Sequence, residues 1–98
     1  MIQYNISLFI EPSITETALK ALKTVIMPEI EKQAFIDQIH LFEISSHQEP
    51  DSNGYSLQCW LPEFEEEHKD FIEGIVSGCF QKEFANQYVY FPSQLKRV

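Results

Sequence analysis

The chain has 98 residues, which suffice for one hydrophobic core and leave no room for a second, so we expect a single domain over residues 1–98. Its hydrophobic share of 44% and charged share of 22% are ordinary for a folded protein and exclude a disordered chain. Fifteen acidic residues against seven basic ones give a formal charge of -8. This charge repels a phosphate backbone, so we expect no nucleic-acid partner.

Neither the start of the chain nor its cysteines indicate export. No basic region precedes an apolar stretch near the N-terminus, and no run approaches the roughly 18 apolar residues that cross a bilayer. We therefore expect a soluble, cytoplasmic protein with no membrane partner. Cys59 and Cys79 lack the spacing of a metal site or a disulfide framework and are predicted to be small buried hydrophobes. Lys96 and Arg97 form the only basic cluster, too small for a nucleic-acid footprint.

The first predicted element is a half-buried strand over residues 2–10. Its two faces are set by strict alternation, with one set at Ile2, Tyr4, Ile6, Leu8 and Ile10 and the other at Gln3, Asn5, Ser7 and Phe9. Pro12 ends the strand, and Ser13 with Glu16 has the spacing of a capping box. A helix is therefore expected from this point.

Apolar residues then recur with the helical period, at Ile14, Ala18, Ala21, Leu22, Val25 and Ile26. Pro28 has no amide hydrogen to donate to the carbonyl of Thr24. We therefore expect a kink near Met27, or a new short helix from Pro28 to Lys32.

Strand chemistry returns over residues 36–46, where apolar residues occur in both alternating sets, so both faces are expected to be covered. Asn53-Gly54 is a strong turn dipeptide and predicts a hairpin into a strand over residues 55–61. Pro62 and the glutamates after it suit the first turn of a second helix, which is expected to run to about Ala85. A short strand over residues 88–91 follows and is expected to end at Pro92.

This order, β-α-β-β-α-β, predicts an α+β, ferredoxin-like fold with a four-stranded antiparallel sheet and two helices on one face. The other face would then hold a mixture of polar and aromatic side chains, at Gln3, Asn5, Ser7, Phe9, Gln58 and Trp60. Such a face usually meets a partner. A second copy could pack on it sheet against sheet, or a small molecule could bind there, and the two can coexist. We expect a homodimer.

Several segments resemble a family of uncharacterised bacterial ferredoxin-like proteins, related in architecture to the dimeric α+β barrel proteins. The likeness covers most of the chain and rests on Met1-Ile2-Gln3-Tyr4-Asn5-Ile6, Met27-Pro28-Glu29, Glu49-Pro50-Asp51, Tyr55-Ser56-Leu57-Gln58-Cys59-Trp60 and Val89-Tyr90-Phe91. The resemblance implies the fold and a dimer, and none of these segments is a catalytic motif. Members often carry a histidine two residues before the helix proline, where this chain has Ile26, so no role of that histidine transfers.

The candidate ligand-facing residues are His68, His40, Trp60, Asn5 and Phe9. On a helical wheel His68 falls near the stripe formed by Phe64, Phe71, Ile75 and Cys79, so it should be at least partly buried. It is either a histidine at the core edge, bonded to a backbone carbonyl, or a general base or ligand contact that faces a cavity.

Two further patterns bear on metals and on helix packing. Glu65 and His68 have the Glu-x-x-His spacing of carboxylate-bridged metal sites, but such sites need the motif twice, so no metal or other cofactor is predicted. Gly74 and Gly78 each cost about 1 kcal/mol inside a helix relative to alanine. They predict close approach by the first helix or by a partner subunit, or backbone space for a ligand.

The sequence leaves the function open among three hypotheses. The first is a non-enzymatic homodimeric domain that binds a small molecule or a protein through its sheet face. The second is a small cofactor-free or haem-associated enzyme of the dimeric α+β barrel type, a monooxygenase or isomerase, with His68, His40 and Asn5 as candidates. The third is a structural role in an assembly. No motif announces a familiar enzyme class, so the first is preferred.

Overall fold

A computed structural model describes all residues, 1–98, and has the predicted ferredoxin-like order of elements. The strands form one antiparallel sheet in the order β2-β3-β1-β4 and cover Ile2–Ile10 (β1), Gln38–Glu43 (β2), Asn53–Leu61 (β3) and Tyr88–Lys96 (β4). The α-helices cover Thr15–Ala21 (α1), Met27–Glu31 (α2) and Glu66–Phe84 (α3). None of them is long and apolar enough to cross a membrane.

The first helix begins differently from the prediction. A short 3₁₀ turn at Pro12–Ile14 precedes α1, and no side chain caps either element, so the predicted capping box of Ser13 and Glu16 does not form. Pro12 starts this turn one residue too early for Ser13 to occupy the extended position that a capping side chain needs. Instead, the Thr15 hydroxyl donates to the Glu11 carbonyl at 2.8 Å.

Pro28 is accommodated by a π-helical stretch at Leu22–Ile26, between α1 and α2. There the Met27 amide donates to the Leu22 carbonyl, five residues back. Pro28 cannot donate the hydrogen bond that a regular α-helix would need there, and the π-helical spacing of the residues before it accommodates this missing bond. The irregularity expected near Met27 is therefore present, and α2 corresponds to the predicted short helix.

Two strand predictions required correction at the β2-β3 hairpin. β2 is shorter than the predicted 36–46, and its Phe42 side chain is 52% exposed, so its second face is not covered within one chain. Asn53 and Gly54 do not form the turn but are the first residues of β3, paired with β1. The backbone turns earlier, around residues 45–46 and 50–51.

β4 continues five residues beyond its predicted end, through Pro92 to Lys96. β4 is an edge strand, and an edge strand tolerates proline because its nitrogen can face away from the neighbouring strand. This extension places the C-terminal half of β4 along the first residues of β1, with Leu95 opposite Gln3.

The core lies between the sheet and the helices. α3 starts at Glu66 rather than at Pro62, and it buries the residues Ile72, Val76, Phe80 and Phe84. The predicted stripe is thus displaced by one residue, and Phe71, Ile75 and Cys79 flank the buried face and are only half-buried. The helices cover one side of the sheet and leave the other side bare.

Candidate functional site

The bare side of the sheet, hereafter the open face, is formed by every second strand residue. Tyr4, Ile6, Leu8 and Ile10 point into the core, so their neighbours on β1 point the other way. The pairing register then assigns the open face to Gln3, Asn5, Ser7 and Phe9 of β1, Gly54, Ser56, Gln58 and Trp60 of β3, Gln38, His40 and Phe42 of β2, and Val89, Phe91, Ser93 and Leu95 of β4.

The open face carries no aspartate, glutamate, lysine or arginine. The chain has 15 acidic and 7 basic residues, and every one of them lies elsewhere. His40 is the one titratable residue on this face, and its Nε2 is 2.9 Å from the Gln38 side-chain oxygen. An uncharged surface of this kind is unusual for a chain that is otherwise strongly acidic.

Large apolar side chains are exposed on the open face. Phe42, Val89, Phe91 and Leu95 are 48–57% exposed. Phe42 and Phe91 stand on the two edge strands in one cross-strand row, and between them lie Ser56 and Ser7, directly paired with each other. The two small serine side chains therefore stand between two larger aromatic rings, and this row is hereafter the serine trough.

Phe9 lies beside this trough and is held by close packing. Its ring centroid is 4.8 Å from that of His47 and 5.9 Å from that of Phe91. Gly54, its partner on β3, permits this position, because a Cβ there would come within 3.1 Å of the Phe9 ring and 3.3 Å of His47. The glycine that the sequence assigned to a turn thus makes room for an aromatic ring.

Two polar atoms on the open face are buried without a hydrogen-bond partner, the side-chain oxygen of Asn5 and the indole nitrogen of Trp60. Asn5 pairs with Gln58, two residues from Trp60, so the two side chains are diagonal neighbours on adjacent strands. One is an acceptor and the other a donor. Buried polar atoms are nearly always paired in working proteins, so a ligand, a partner or a rearrangement should satisfy them.

Four of the five predicted ligand-facing residues therefore share the open face: Asn5, Phe9, His40 and Trp60. His68 does not, because it belongs to α3 on the other side of the sheet. Its ring stacks on Phe35 with centroids 4.2 Å apart, and its Nδ1 accepts a hydrogen bond from the Glu65 amide at 3.2 Å. His68 thus binds the first turn of α3, not a backbone carbonyl at the core edge.

Sequence reasoning missed a polar pair within the helix-facing layer. The buried Tyr4 hydroxyl donates to the Glu73 carboxylate, and the Tyr4 ring stacks on Phe64 at 5.5 Å. Burial, followed by this hydrogen bond, raises the pKa of Tyr4. Nearby on the same side of the sheet, burial raises the pKa of the Cys59 thiol from 9.0 to about 12. Both groups are therefore held neutral and suit packing better than reaction.

Neither a cluster of metal-ligating residues nor close packing at the helix glycines is present. No group of three His, Cys, Asp or Glu residues is placed to hold a metal ion. Nothing lies within 4 Å of a Cβ built at Gly74 or Gly78, so the predicted close approach by the first helix is wrong. Cys79 is half-buried beside Gly78, so only Cys59 is the buried hydrophobe that was expected.

The whole chain matches one family model. The model of a domain of unknown function, DUF4286, matches residues 1–98. No curated protein matches the sequence.

Solved structures show the same fold at low identity. An ethyl tert-butyl ether D (EthD) family protein from Bacillus halodurans C-125 is similar over 100% of both chains, with a TM-score of 0.66 and 10% identity. An antibiotic biosynthesis monooxygenase has a TM-score of 0.63 and 12% identity over 100% of this chain and 99% of its own. A dimeric ferredoxin-like protein from an uncultured marine organism has a TM-score of 0.64 and 10% identity, over 99% and 94%. At these identities the likeness concerns the fold alone.

Proposed function

The chain belongs to the DUF4286 family, a domain of unknown function, and from its open face we propose that it is a non-enzymatic homodimeric binding domain. In this proposal two copies pack sheet against sheet, and a small molecule binds against the open face. The observation that carries the proposal is the absence of charged residues from that face.

Charge distribution favours a second copy as the occupant of the open face. Protein surfaces exposed to water are typically about 25–35% charged. A chain with a formal charge of -8 repels its own copies through most of its surface, and the open face is a region where two copies meet without opposing like charges. Its exposed Phe42, Val89, Phe91 and Leu95 would be removed from water there.

The area of the open face is sufficient for a stable dimer. Three strands have nine residues and β2 has six, so at about 4.8 Å between strands and about 3.3 Å per residue the face covers roughly 520 Å². Two such faces would together bury about 1,050 Å², which reaches the roughly 1,000 Å² expected of a biological interface. The dimeric relative with the same fold agrees with this assembly.

The relief of the open face supports the ligand-binding part of the proposal. Stacked sheets lie about 10 Å apart, and that space is normally filled by interdigitating side chains. Small residues at Ser7 and Ser56 leave the serine trough only partly filled. Asn5 lies in the cross-strand row next to the serine trough and Trp60 in the row after it, and their unpaired atoms are left for a ligand or a partner to satisfy.

The enzyme alternative has less support. Asn5 and His40 lie in one cross-strand row with Gln58 between them, so both could contact a molecule on the open face. His68, the third candidate for catalysis, lies outside that face and holds the start of α3. A monooxygenase or isomerase would have to rely on Asn5 and His40 alone.

The dimer is tested by light scattering coupled to size-exclusion chromatography, with a matched pair of variants. The protomer mass is 11.5 kDa, so we expect about twice that mass for the native protein. Val89 lies on the open face and is 53% exposed, whereas Val25 lies on the helical side and is 51% exposed. Val89→Glu should dissociate the dimer and Val25→Glu should not, although both add the same charge.

A native protein that is monomeric at 100 µM, a concentration chosen to favour association, would overturn the dimer. So would equal dissociation in both variants, because the open face would then have no special part in assembly.

A further inference from the structure

A depression of about 370 Å³ lies at one end of the open face, beside Trp60. Gln3 pairs with both Trp60 and Leu95, so three adjacent strands contribute one residue each to its wall. Met1, Lys96 and Arg97 complete the lining. The volume is at the lower end of the range for ligand sites, so a small molecule would fit.

The charge of this depression is opposite to that of the whole chain. Lys96 and Arg97 line it, and no acidic residue does. The salt bridges of the protein involve Lys32 and Lys69, so neither cation of the depression is paired with a carboxylate. In a chain with 15 acidic residues, two adjacent unpaired cations form a local anion-binding position.

The remaining lining gives the depression an apolar part. Met1, Leu95 and the Trp60 ring supply apolar surface. The Trp60 indole nitrogen is itself buried and is not open to the depression.

We propose that this depression binds a small organic carboxylate, with its apolar body against Trp60 and Leu95 and its carboxylate toward Lys96 and Arg97. The arginine guanidinium matches a carboxylate with two parallel hydrogen bonds. A cationic ligand would be repelled, and a neutral one would leave both cations without a counter-charge. The inference rests on the ligand-binding half of the proposed function and not on the dimer.

The ligand class is tested with three probes of the same chain length and different charge: hexanoate, hexanamide and hexylammonium. Trp60 is the only tryptophan, so its fluorescence reports binding at this position, and none of the probes absorbs with it. Hexanoate should bind at least about fivefold more tightly than hexanamide, and hexylammonium should bind least. Raising the salt concentration should weaken hexanoate binding and leave hexanamide unaffected.

A pair of double variants locates the effect. Lys96→Gln/Arg97→Gln should remove the preference for hexanoate over hexanamide. Lys20→Gln/Lys23→Gln makes the same change in net charge on exposed residues of the helical side and should preserve the preference. Equal loss in both double variants would mean that net charge and not this depression selects the anion, and would overturn the inference.

Equal or tighter binding of hexanamide or hexylammonium, or no fluorescence response to any probe, would also overturn it. Light scattering on the same samples measures the oligomeric state, so a failure of the carboxylate site can be told apart from a failure of the dimer. A dimer without preference for hexanoate contradicts the carboxylate site alone, whereas a monomer that selects hexanoate supports the site and contradicts the dimer.

Discussion

At the scale of single residues, Gly54 and Gly74 should respond to alanine in opposite directions. A methyl group at Gly54 would meet Phe9 at 3.1 Å and His47 at 3.3 Å, so Gly54→Ala should destabilise by about 1–3 kcal/mol through overpacking. Gly74 has nothing within 4 Å inside a helix, so Gly74→Ala should stabilise by up to about 1 kcal/mol. Thermal unfolding measures both changes. A Gly54→Ala variant that melts at or above the native temperature would contradict the packing of Phe9.

The buried thiol of Cys59 should make the protein sensitive to alkaline pH. Its pKa is raised from 9.0 to about 12, so the unfolded chain loses the proton before the folded chain does. The contribution to stability is therefore complete below pH 9 and is lost as the pH rises to about 12. The pKa of Tyr4 is raised from 10.0 for the same reason, so its contribution is lost only above pH 10.

Urea unfolding between pH 8 and 12 measures this dependence. Cys59→Ala should be less stable at pH 8 because it leaves a cavity, but its decline above pH 9 should be less steep than that of the native protein. Burial also raises the pKa of the half-buried Cys79, so Cys79→Ala should make the decline less steep too, but by a smaller amount. A decline of unchanged steepness in Cys59→Ala would refute the assignment of this dependence to Cys59.

The positions of Asn5, Phe9 and Trp60 could be predicted from the sequence, whereas the surroundings of His68 could not. In a strand, successive side chains alternate between the two faces of the sheet, so one residue known to be buried determines the face of every other residue in that strand. On a helix, an error of one position rotates the face by about 100°. The stripe read as Phe71, Ile75 and Cys79 was displaced in this way from the buried Ile72, Val76 and Phe80.

At the scale of elements, His68 should stabilise the start of α3 through its acceptor nitrogen. Its Nδ1 accepts a hydrogen bond from the backbone amide of Glu65, the residue before the helix. A glutamine side chain makes the same hydrogen bond at the third position of a capping box. His68→Leu should therefore cost about 1 kcal/mol, and His68→Gln should recover most of it. Thermal unfolding at pH 7.5 distinguishes the two variants. Equal losses in both would indicate that stacking on Phe35 and not the hydrogen bond is the stabilising contact.

The limits of the strands were harder to predict than their existence. Pro92 and Asn53-Gly54 are local sequence signals for the end of a strand. Both nevertheless lie within strands, because β3 and β4 pair with β1 along these residues. On β4 the proline is tolerated because the strand has only one neighbour. The extension past Pro92 brings Leu95, Lys96 and Arg97 beside Trp60, so no reading that ended the strand at Pro92 could have predicted the basic depression.

At the scale of the whole molecule, the order of elements was predictable because each local pattern pointed to the same fold, and helices on one side leave a bare sheet in any such arrangement. That every charged residue lies off this face became clear only from the complete register. Glu43 of β2 alternates to the other side of the sheet, and Lys96 of β4 lies past the last row of the face, Gln3 with Leu95, where it lines the depression. The expectation of a single domain over residues 1–98 stays a prediction, and one cooperative unfolding transition would support it.

The proposed dimer should weaken when a charged side chain replaces His40. This residue is exposed in one chain, and on the open face its neighbours are Gln38, Phe42 and Gln58, none of them charged. Glu43, the last residue of β2, alternates to the opposite side. A lysine at position 40 would therefore place an unpaired charge in the interface of each copy.

The general effect of an added lysine on this chain has the opposite sign, because it lowers the repulsion between two copies of net charge -8. We nevertheless expect His40→Lys to raise the dissociation constant of the dimer about tenfold, on the order of one unpaired charge per interface. Gln81→Lys adds the same charge to an exposed residue of α3, off the open face, and should associate at least as tightly as the native protein. Sedimentation equilibrium measures the three dissociation constants. If His40→Lys and Gln81→Lys associate alike, His40 does not lie in the interface, and the open face is not where the two copies meet.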